Sequence, residues 1–555
     1  MWQYVLVLAA LVGVGTVQGQ AVTKGVTQGQ VLGPWWNSAV YYRILVDSFK
    51  DTNSDGLGDL QGVTKQLSYV RALGADAVIL SPIVARSTDC AKPGTLDISD
   101  LDQRYGNLED FNGLLNKAKK LELKVVITLP LQTISAASEW FTSSVDKVVG
   151  YEDRILWKDG TSENPPPIED GTAWTWDEGR SAYWAAKNGE AVLNMCSEGI
   201  MASLSSAQCA WIRRGVSGVL LNPDFPQDQR CAERLLTKMA AEAISCARAA
   251  NSELPVILAE TSLSPEQTAR YYSEGGLGAN SVISNAFTSP SRRSGPELAL
   301  DFYGAILFAP QDMTPTWVTS TLSESRTATR YGSDVVDAVN LLALTLPGSV
   351  IIQQGDELGA ADTILEWAAT NSCWPSAMVA SSAPFPWDDS ANGGFSAGEP
   401  WMPLAPNYRY ANAKTEFAND FSHIGVVKIA AAMRKSPAVG PQADIKRLGN
   451  AIAILRWGGA GSLLVVSNMA RDHTEAQLFR IPGLPPEMTV AASSGGSSLS
   501  TGTHFNTEKA LKLAPGETIL LAGPPRHCGG PGPVDRIANK LSEGWQKLNK
   551  YFSNM

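Results

Sequence analysis

The sequence predicts an α/β protein: a (β/α)8 TIM barrel carrying an inserted B domain and followed by a C-terminal antiparallel β-domain. Three observations predict it. From Val40 onward short β-rich runs alternate with helical patterns, the alternation breaks between residues 140 and 194, and after residue 438 the helices give way to alternating strands.

The first strand is carried by Tyr41, Tyr42, Arg43, Ile44 and Leu45. Leu60, Val63, Leu67 and Val70 follow at helical spacing, and residues 77–80 (Ala-Val-Ile-Leu) make the second strand. The βαβ pattern continues with Phe111, Leu114, Leu115 and Ala118 on a helix, then strands at 125–127, 218–221, 255–258 and 350–352. So many strands of parallel type with helical connections point to a closed barrel. The stretch from 140 to 194 is rich in Pro, Trp and Gly (Pro165 to Pro167, Trp174, Trp176) and too long for a βα loop. The expected division is therefore residues 30–139 and 195–437 for the barrel, 140–194 for the insert and 438–524 for the β-domain. Residues 525–555 form a Gly/Pro linker and a last helix with Ile537, Leu541, Trp545, Leu548 and Phe552 on one side.

Composition excludes several classes of function. With 44% hydrophobic and 18% charged residues among 555, the chain is an ordinary globular protein. Its 45 basic and 55 acidic residues give a net charge of −10, which offers no footprint for nucleic acid. The only long apolar run, residues 5–16, precedes Val17, Gln18 and Gly19. About 15 residues at 1.5 Å each fall short of a ~30 Å hydrocarbon core, so residues 1–19 are read as a secretory signal cleaved before Gln20. The mature chain is then expected to be secreted, without a transmembrane segment. The seven cysteines (Cys90, Cys196, Cys209, Cys231, Cys246, Cys373, Cys528) contain no C-x-x-C pair. In a secreted chain some should pair, and the odd number leaves Cys528 as the candidate for a bond to another molecule.

Several long segments resemble the α-amylase family of glycoside hydrolases, most closely its insect maltases and α-glucosidases. They are residues 36–62 around Asp51, Asn53, Asp55 and Asp59; residues 173–178; Leu346, Pro347 and Gly348 with residues 355–359; and residues 387–401. The resemblance spans nearly everything from Trp35 to Gly523. It implies retaining glycoside hydrolysis by paired carboxyl groups at the C-terminal ends of barrel strands.

The family's catalytic positions are only partly matched. Glu260, after the fifth strand, keeps the acid/base position. After the fourth strand Leu220 stands where the family has Arg and Asn222 where it has the nucleophilic Asp, and an amide cannot form the glycosyl ester. Deamidation through the next backbone nitrogen is closed, because Pro223 has no N–H. Asp224 is two residues on, displaced by about 6–7 Å along an extended chain. The family's Asn-His-Asp falls on Thr321, Leu322 and Ser323, so Ser323 occupies the third-carboxylate position. A family histidine after the third strand falls within residues 128–133, which hold none. Asp97 alone still matches a sugar-contacting aspartate, with Leu96 in place of its usual Tyr neighbour.

On this reading the expected function is that of a secreted, catalytically inactive α-glucosidase-like protein, acting by binding an unidentified protein partner or a carbohydrate. Two alternatives stand beside it. One is an active α-glucosidase or maltase; the other is an ancillary subunit resembling the heavy chains of amino-acid transporters. A structural Ca2+ is also expected: Asp51, Asn53, Asp55, Leu57 and Asp59 place oxygens at alternate positions around Gly56, and the family carries calcium on this segment. Trp174, Trp176, Trp387 and Trp401 are read as packing rather than sugar platforms. The four histidines match no catalytic position. The last helix, with Lys540, Lys547 and Lys550 beside its apolar stripe, is expected to dock on its own chain, with a partner or lipid surface as alternatives. No hydrophobic tail supports a glycosylphosphatidylinositol anchor.

Overall fold

The computed structural model describes residues 34–168, 171–224, 229–272, 277–367, 379–436 and 438–526. The expected signal segment, Cys373, Cys528 and the C-terminal helix lie outside the described residues.

Eight strands close a barrel in which every neighbouring pair is parallel: Val40–Ile44, Ala77–Leu80, Lys124–Leu129, Gly218–Leu221, Val256–Glu260, Ser281–Ser284, Thr316–Val318 and Ser349–Gln353. The ring closes where Val40 to Arg43 pair with Val350 to Gln353. Its interior is packed by Tyr41, Ile79, Val126, Leu220, Leu258, Ile283, Val318 and Ile351, each almost wholly buried. Leu220, at the family's Arg position, is therefore a filler of the barrel interior. The helices start where side chains satisfy their free N–H groups. Asp59 accepts from Gly62 ahead of Leu60–Ala72, and Asn107 and Asp110 form a reciprocal capping box ahead of Leu108–Lys120.

The insert forms an antiparallel sheet in the order Thr133–Ile134, Glu190–Val192, Ala182–Lys187, Trp157–Asp159, with Ala173–Asp177 pairing the third of these. Its first strand precedes residue 140. The sheet borrows an edge from the connection that leaves the third barrel strand, so the structural insert begins earlier than the break in composition suggested.

The C-terminal sheet is antiparallel, ordered Gln442–Leu448, Ala451–Trp457, Ser462–Ser467, Thr518–Gly523, Glu487–Ser493, His504–Asn506. Its strands alternate between two cores. Ile452, Ile454, Leu463 and Val465 join the barrel's core, while Ala453, Leu455, Leu464 and Val466 build the domain's own. Polar contacts also tie the two together. Asp337 Oδ1 lies 2.6 Å from His423 Nδ1 and Oδ2 accepts from the Gly495 N–H at 3.0 Å, and Arg456 donates to the carbonyl of Leu346.

Disulfides Cys196–Cys231 and Cys209–Cys246 staple helix Glu198–Arg214 to helix Gln229–Ala249, the helices on either side of the fourth strand. Cys90 is also disulfide-bonded. Among the described residues no helix is long and apolar enough to cross a membrane.

Candidate active site

The C-terminal ends of the strands open into a pocket of about 800 Å³, a size suited to a small organic ligand. Gln132, Asn222, Asp224, Glu260, Leu322 and Glu324 contribute to its wall, and the insert adds Lys187.

Glu260 is the last residue of the fifth strand, which carries its carboxylate to the mouth of the barrel. Arg43, on the first strand and only 2% exposed, crosses the barrel to donate from Nη1 to Glu260 Oε1 at 2.8 Å. The other two guanidinium nitrogens, Nε and Nη2, are buried without a hydrogen-bond partner among the described residues. Burying a guanidinium is costly unless a counter-charge faces it, so Glu260 is the group that makes Arg43 tolerable there.

Asn222 uses its amide oxygen to close a turn. Oδ1 accepts from Gln132 Nε2 at 2.9 Å and from the Asp224 N–H at 3.0 Å. Asp224 is in turn fully engaged: Oδ1 accepts from Thr261 Oγ1, and Oδ2 from the Ser262 N–H at 2.6 Å and Ser262 Oγ at 2.8 Å. The loop after the fourth strand is thereby sewn to the segment following Glu260. Asp224 positions that segment and has little capacity left for a substrate.

Two further carboxyls line the pocket, Asp301, which pairs with Arg293 at 3.0 Å, and Glu324, whose side chain is 40% exposed. Glu324 Oε2 is shielded from solvent, makes no hydrogen bond to the described residues and lies 3.5 Å from Arg330 Nη1. Burial pushes the carboxyl above its ordinary range; Arg330 and a hydrogen bond from Thr321 oppose that, and the charge of Glu260 adds to it. Ser323, expected at the third-carboxylate position, is exposed and bonds with Thr321 Oγ1 at 3.2 Å.

Asp97 stands apart. It is exposed on strand Thr95–Leu101, accepts from the backbone and hydroxyl of Ser99, and is not among the residues lining the pocket. The four tryptophans also lie off the pocket wall. Trp387 packs 4.5 Å from Phe385, Trp176 packs 5.0 Å from Tyr183, Trp401 bonds to Ser48 Oγ, and Lys158 sits over Trp174.

The Asp51 loop has the donor chemistry of a hard-cation site, and its own chain uses those donors. Asp51 Oδ1 accepts from the N–H groups of Asn53 and Ser54, and Oδ2 from Gly56 N–H and Ser396 Oγ. Asn53 and Asp55 bond to each other, the carbonyl-bearing Leu57 donates its N–H to Asp55, and Asp59 accepts from Thr52 and caps the following helix. Among the described residues no three carboxylate oxygens of this loop lie within 4.8 Å of one another. As arranged, these oxygens serve a hydrogen-bonded turn, and carboxylate, amide and backbone oxygens are also the ligand types that a calcium ion takes.

The match to known proteins covers most of the chain. The model for the alpha amylase catalytic domain matches residues 43–440. The chain belongs to the alpha-amylase family. Similar proteins to this family member include Maltase A1 of Drosophila melanogaster (28% identical, covering 88% of this chain and 96% of that protein) and Maltase 1 of Drosophila virilis (26%, 88% and 86%). A salivary alpha-glucosidase of Anopheles gambiae is 24% identical over 88% of this chain and 93% of its own. Among solved structures, the isomaltulose synthase of Protaminobacter rubrum superposes with a TM-score of 0.74 at 21% identity, covering 88% and 99% of the two chains. The trehalose-6-phosphate hydrolase of Bacillus licheniformis gives 0.73 at 21%, covering 88% and 100%; these two establish likeness of fold.

These findings correct the expectation that this alpha-amylase family member is not an enzyme. The relatives it matches along most of its length carry the names of maltases and α-glucosidases. The error has a physical reason. Position along the chain registers the losses at Asn222 and Ser323, whereas a pocket is furnished in space, and Glu324 lines it one residue beyond Ser323. Arg43 likewise reads in the sequence as an ordinary strand residue. Only its contact across 217 residues of sequence reveals the pairing with Glu260.

Proposed function

We propose that the protein is a secreted glycoside hydrolase acting on α-glucosides, with Glu260 as a carboxyl of the reaction. The observation that carries this reading is Glu260 itself, held by Arg43 at the C-terminal end of a barrel strand and facing a pocket of about 800 Å³. The names of the relatives supply the substrate class. The separation between the reacting carboxyl groups sets whether the sugar's configuration is retained or inverted.

Secretion is part of the proposal. Disulfides Cys196–Cys231 and Cys209–Cys246 suit an oxidising compartment, and two of the similar proteins are called salivary. A mature chain beginning at Gln20 is the expected product, read by mass spectrometry of the secreted protein. A structural Ca2+ on the Asp51 loop is also proposed, on its donor chemistry alone.

The test is hydrolysis of an aryl α-glucoside, maltose and sucrose by purified secreted protein beside an active maltase. Turnover that disappears in Glu260→Gln supports the reading. No release of glucose above buffer on any of the three overturns it.

A further inference from the structure

We propose that the outward face of helix Gly295–Phe308 is the seat of this chain's own C-terminal segment, residues 537–552, whose apolar side packs on Leu300 and Leu307.

The helix follows the sixth barrel strand and has almost no polar side. Only Glu297 and Asp301 are charged among its 14 residues. Leu298, Ala299, Phe302, Ala305 and Ile306 are buried and hold it to the core. Leu300 and Leu307, seven residues apart and so on one face, are 62% and 55% exposed. A surface helix ordinarily turns charged residues outward, and one that is apolar all round is a covered helix. An apolar partner therefore belongs on this face.

The course of the chain says which. The helix meets strand Gln442–Leu448, where the Tyr303 hydroxyl donates to the carbonyl of Ile445. One residue earlier on that strand, Asp444 Oδ2 accepts from Arg526 Nη1 at 2.7 Å. Arg526 also donates from Nε to the carbonyl of Pro482 at 2.8 Å, and its guanidinium lies over Trp457, 4.6 Å from the ring centre. The last described residue is thus fixed beside the helix, and residues 527–536 lead from it to Ile537. At about 3.3 Å per residue this linker reaches up to about 33 Å, and about 17 Å as a flexible chain. The exposed face, on a helix about 21 Å long, is within that reach.

Residues 537–552 carry the complementary pattern. Ile537, Leu541, Trp545, Leu548 and Phe552 recur at intervals of three and four, which makes one side of a helix about 22 Å long. A helix of this length is marginal in water by itself and draws its stability from a surface that buries its apolar side. Residues 20–33, at the other end of the chain, are mainly Gln, Gly and Thr and offer no such side. The seat also borders the pocket, because the same helix gives Asp301 and Ala305 to the pocket wall.

The test uses the full-length secreted protein and trypsin, with Lys540, Lys547 and Lys550 as cleavage sites and intact mass as the readout. Trimming of the C-terminal segment is expected to be slow in wild type and about 10-fold or more faster in Leu300→Gln/Leu307→Gln, since two leucines no longer bury each other's partners and cleavage follows the open population. Both positions face outward, and an unchanged near-ultraviolet circular dichroism spectrum checks that the barrel is intact. Leu541→Gln/Trp545→Gln, changed on the segment instead, should be trimmed as fast and should raise deuterium uptake at residues 300–308. All four changes together should be no faster than either pair, because each pair removes the same contact. Equal trimming of wild type and variants, or unchanged uptake at residues 300–308, overturns the proposal. So does a wild type that sediments as a dimer and is made monomeric by Leu300→Gln/Leu307→Gln, which would put a second copy on the face. Protection seen only with phosphatidylcholine–phosphatidylserine vesicles overturns it in favour of a lipid surface.

Discussion

Arg43 and Glu260 sit on the first and fifth strands of the barrel, on opposite sides of its ring, and meet through a 2.8 Å hydrogen bond between Nη1 and Oε1. The guanidinium is 2% exposed and the carboxylate 21%, so the pair is anchored in the barrel and open only at its acidic end. The same carboxylate that faces the pocket therefore also neutralises a buried charge. The pocket wall and the buried charge of the barrel meet at one residue.

That pairing predicts a non-additive mutant cycle. Glu260→Ala leaves Arg43 buried without a counter-charge and is expected to cost about 2–3 kcal/mol of stability. Arg43→Met combined with Glu260→Ala should regain most of it, since an apolar pair of similar volume has no charge to desolvate. Urea denaturation of the three variants checks this. Costs that simply add would mean that the pair is not coupled in the folded state.

Glu357 predicts a pH dependence of stability. It is fully buried, accepts hydrogen bonds from the hydroxyls of Tyr42 at 2.6 Å and Tyr69 at 2.8 Å, and burial pushes its carboxyl up to about 7. A carboxyl raised on folding contributes stability that is complete below its unfolded value near 4.5 and is lost as pH climbs through about 7. The swing is about 3 kcal/mol. Glu357→Gln removes the titration while keeping groups able to bond to both tyrosines. The stability difference between wild type and this variant should thus drift against wild type between pH 4.5 and 7 and level off above, measured by denaturation at each pH.

Calcium on the Asp51 loop is decided by metal exchange. If the loop takes the ion by drawing Asp51, Asp55 and Asp59 together, stripping with chelator lowers the melting temperature and added Ca2+ restores it, with one ion per chain by elemental analysis. An unchanged transition and no bound metal would leave the hydrogen-bonded turn as the complete structure of the loop.

The two staples between helices Glu198–Arg214 and Gln229–Ala249 close loops of 35 and 37 residues in sequence separation. Replacing Cys196 with Cys231, or Cys209 with Cys246, by serine pairs is expected to cost about 2–4 kcal/mol in each case. Because the loop between these helices carries Asn222 and Asp224, activity should fall with stability in these variants. Loss of stability at full activity would separate the staples from the site.

Much of the fold is legible in the sequence because its strands are long enough to show a pattern. Lys124–Leu129 and Val256–Glu260 announce themselves by β-branched runs. Ser281–Ser284 and Thr316–Val318, the sixth and seventh strands, do not, since three or four residues flanked by polar loops carry no measurable period. The edge strand Thr133–Ile134 is invisible for the same reason and belongs to the insert only through its pairing with Glu190–Val192. In the site, Glu260 is legible in the sequence because residues 257–260 resemble the family's acid/base segment. Glu324 is not, because nothing local distinguishes it from any other loop carboxylate until the barrel closes and turns it toward the pocket.

The stapled helices also give the molecule an unusual covalent topology around its pocket. Cys196 and Cys209 precede Gly215, and Cys231 and Cys246 follow Gln229. A single break of the backbone anywhere between Gly215 and Gln229 would consequently leave two fragments held by two sulfur bridges. Such a nicked protein would migrate as one species until reductant was added, with the helices flanking the segment that bears Asn222 and Asp224 still joined to each other.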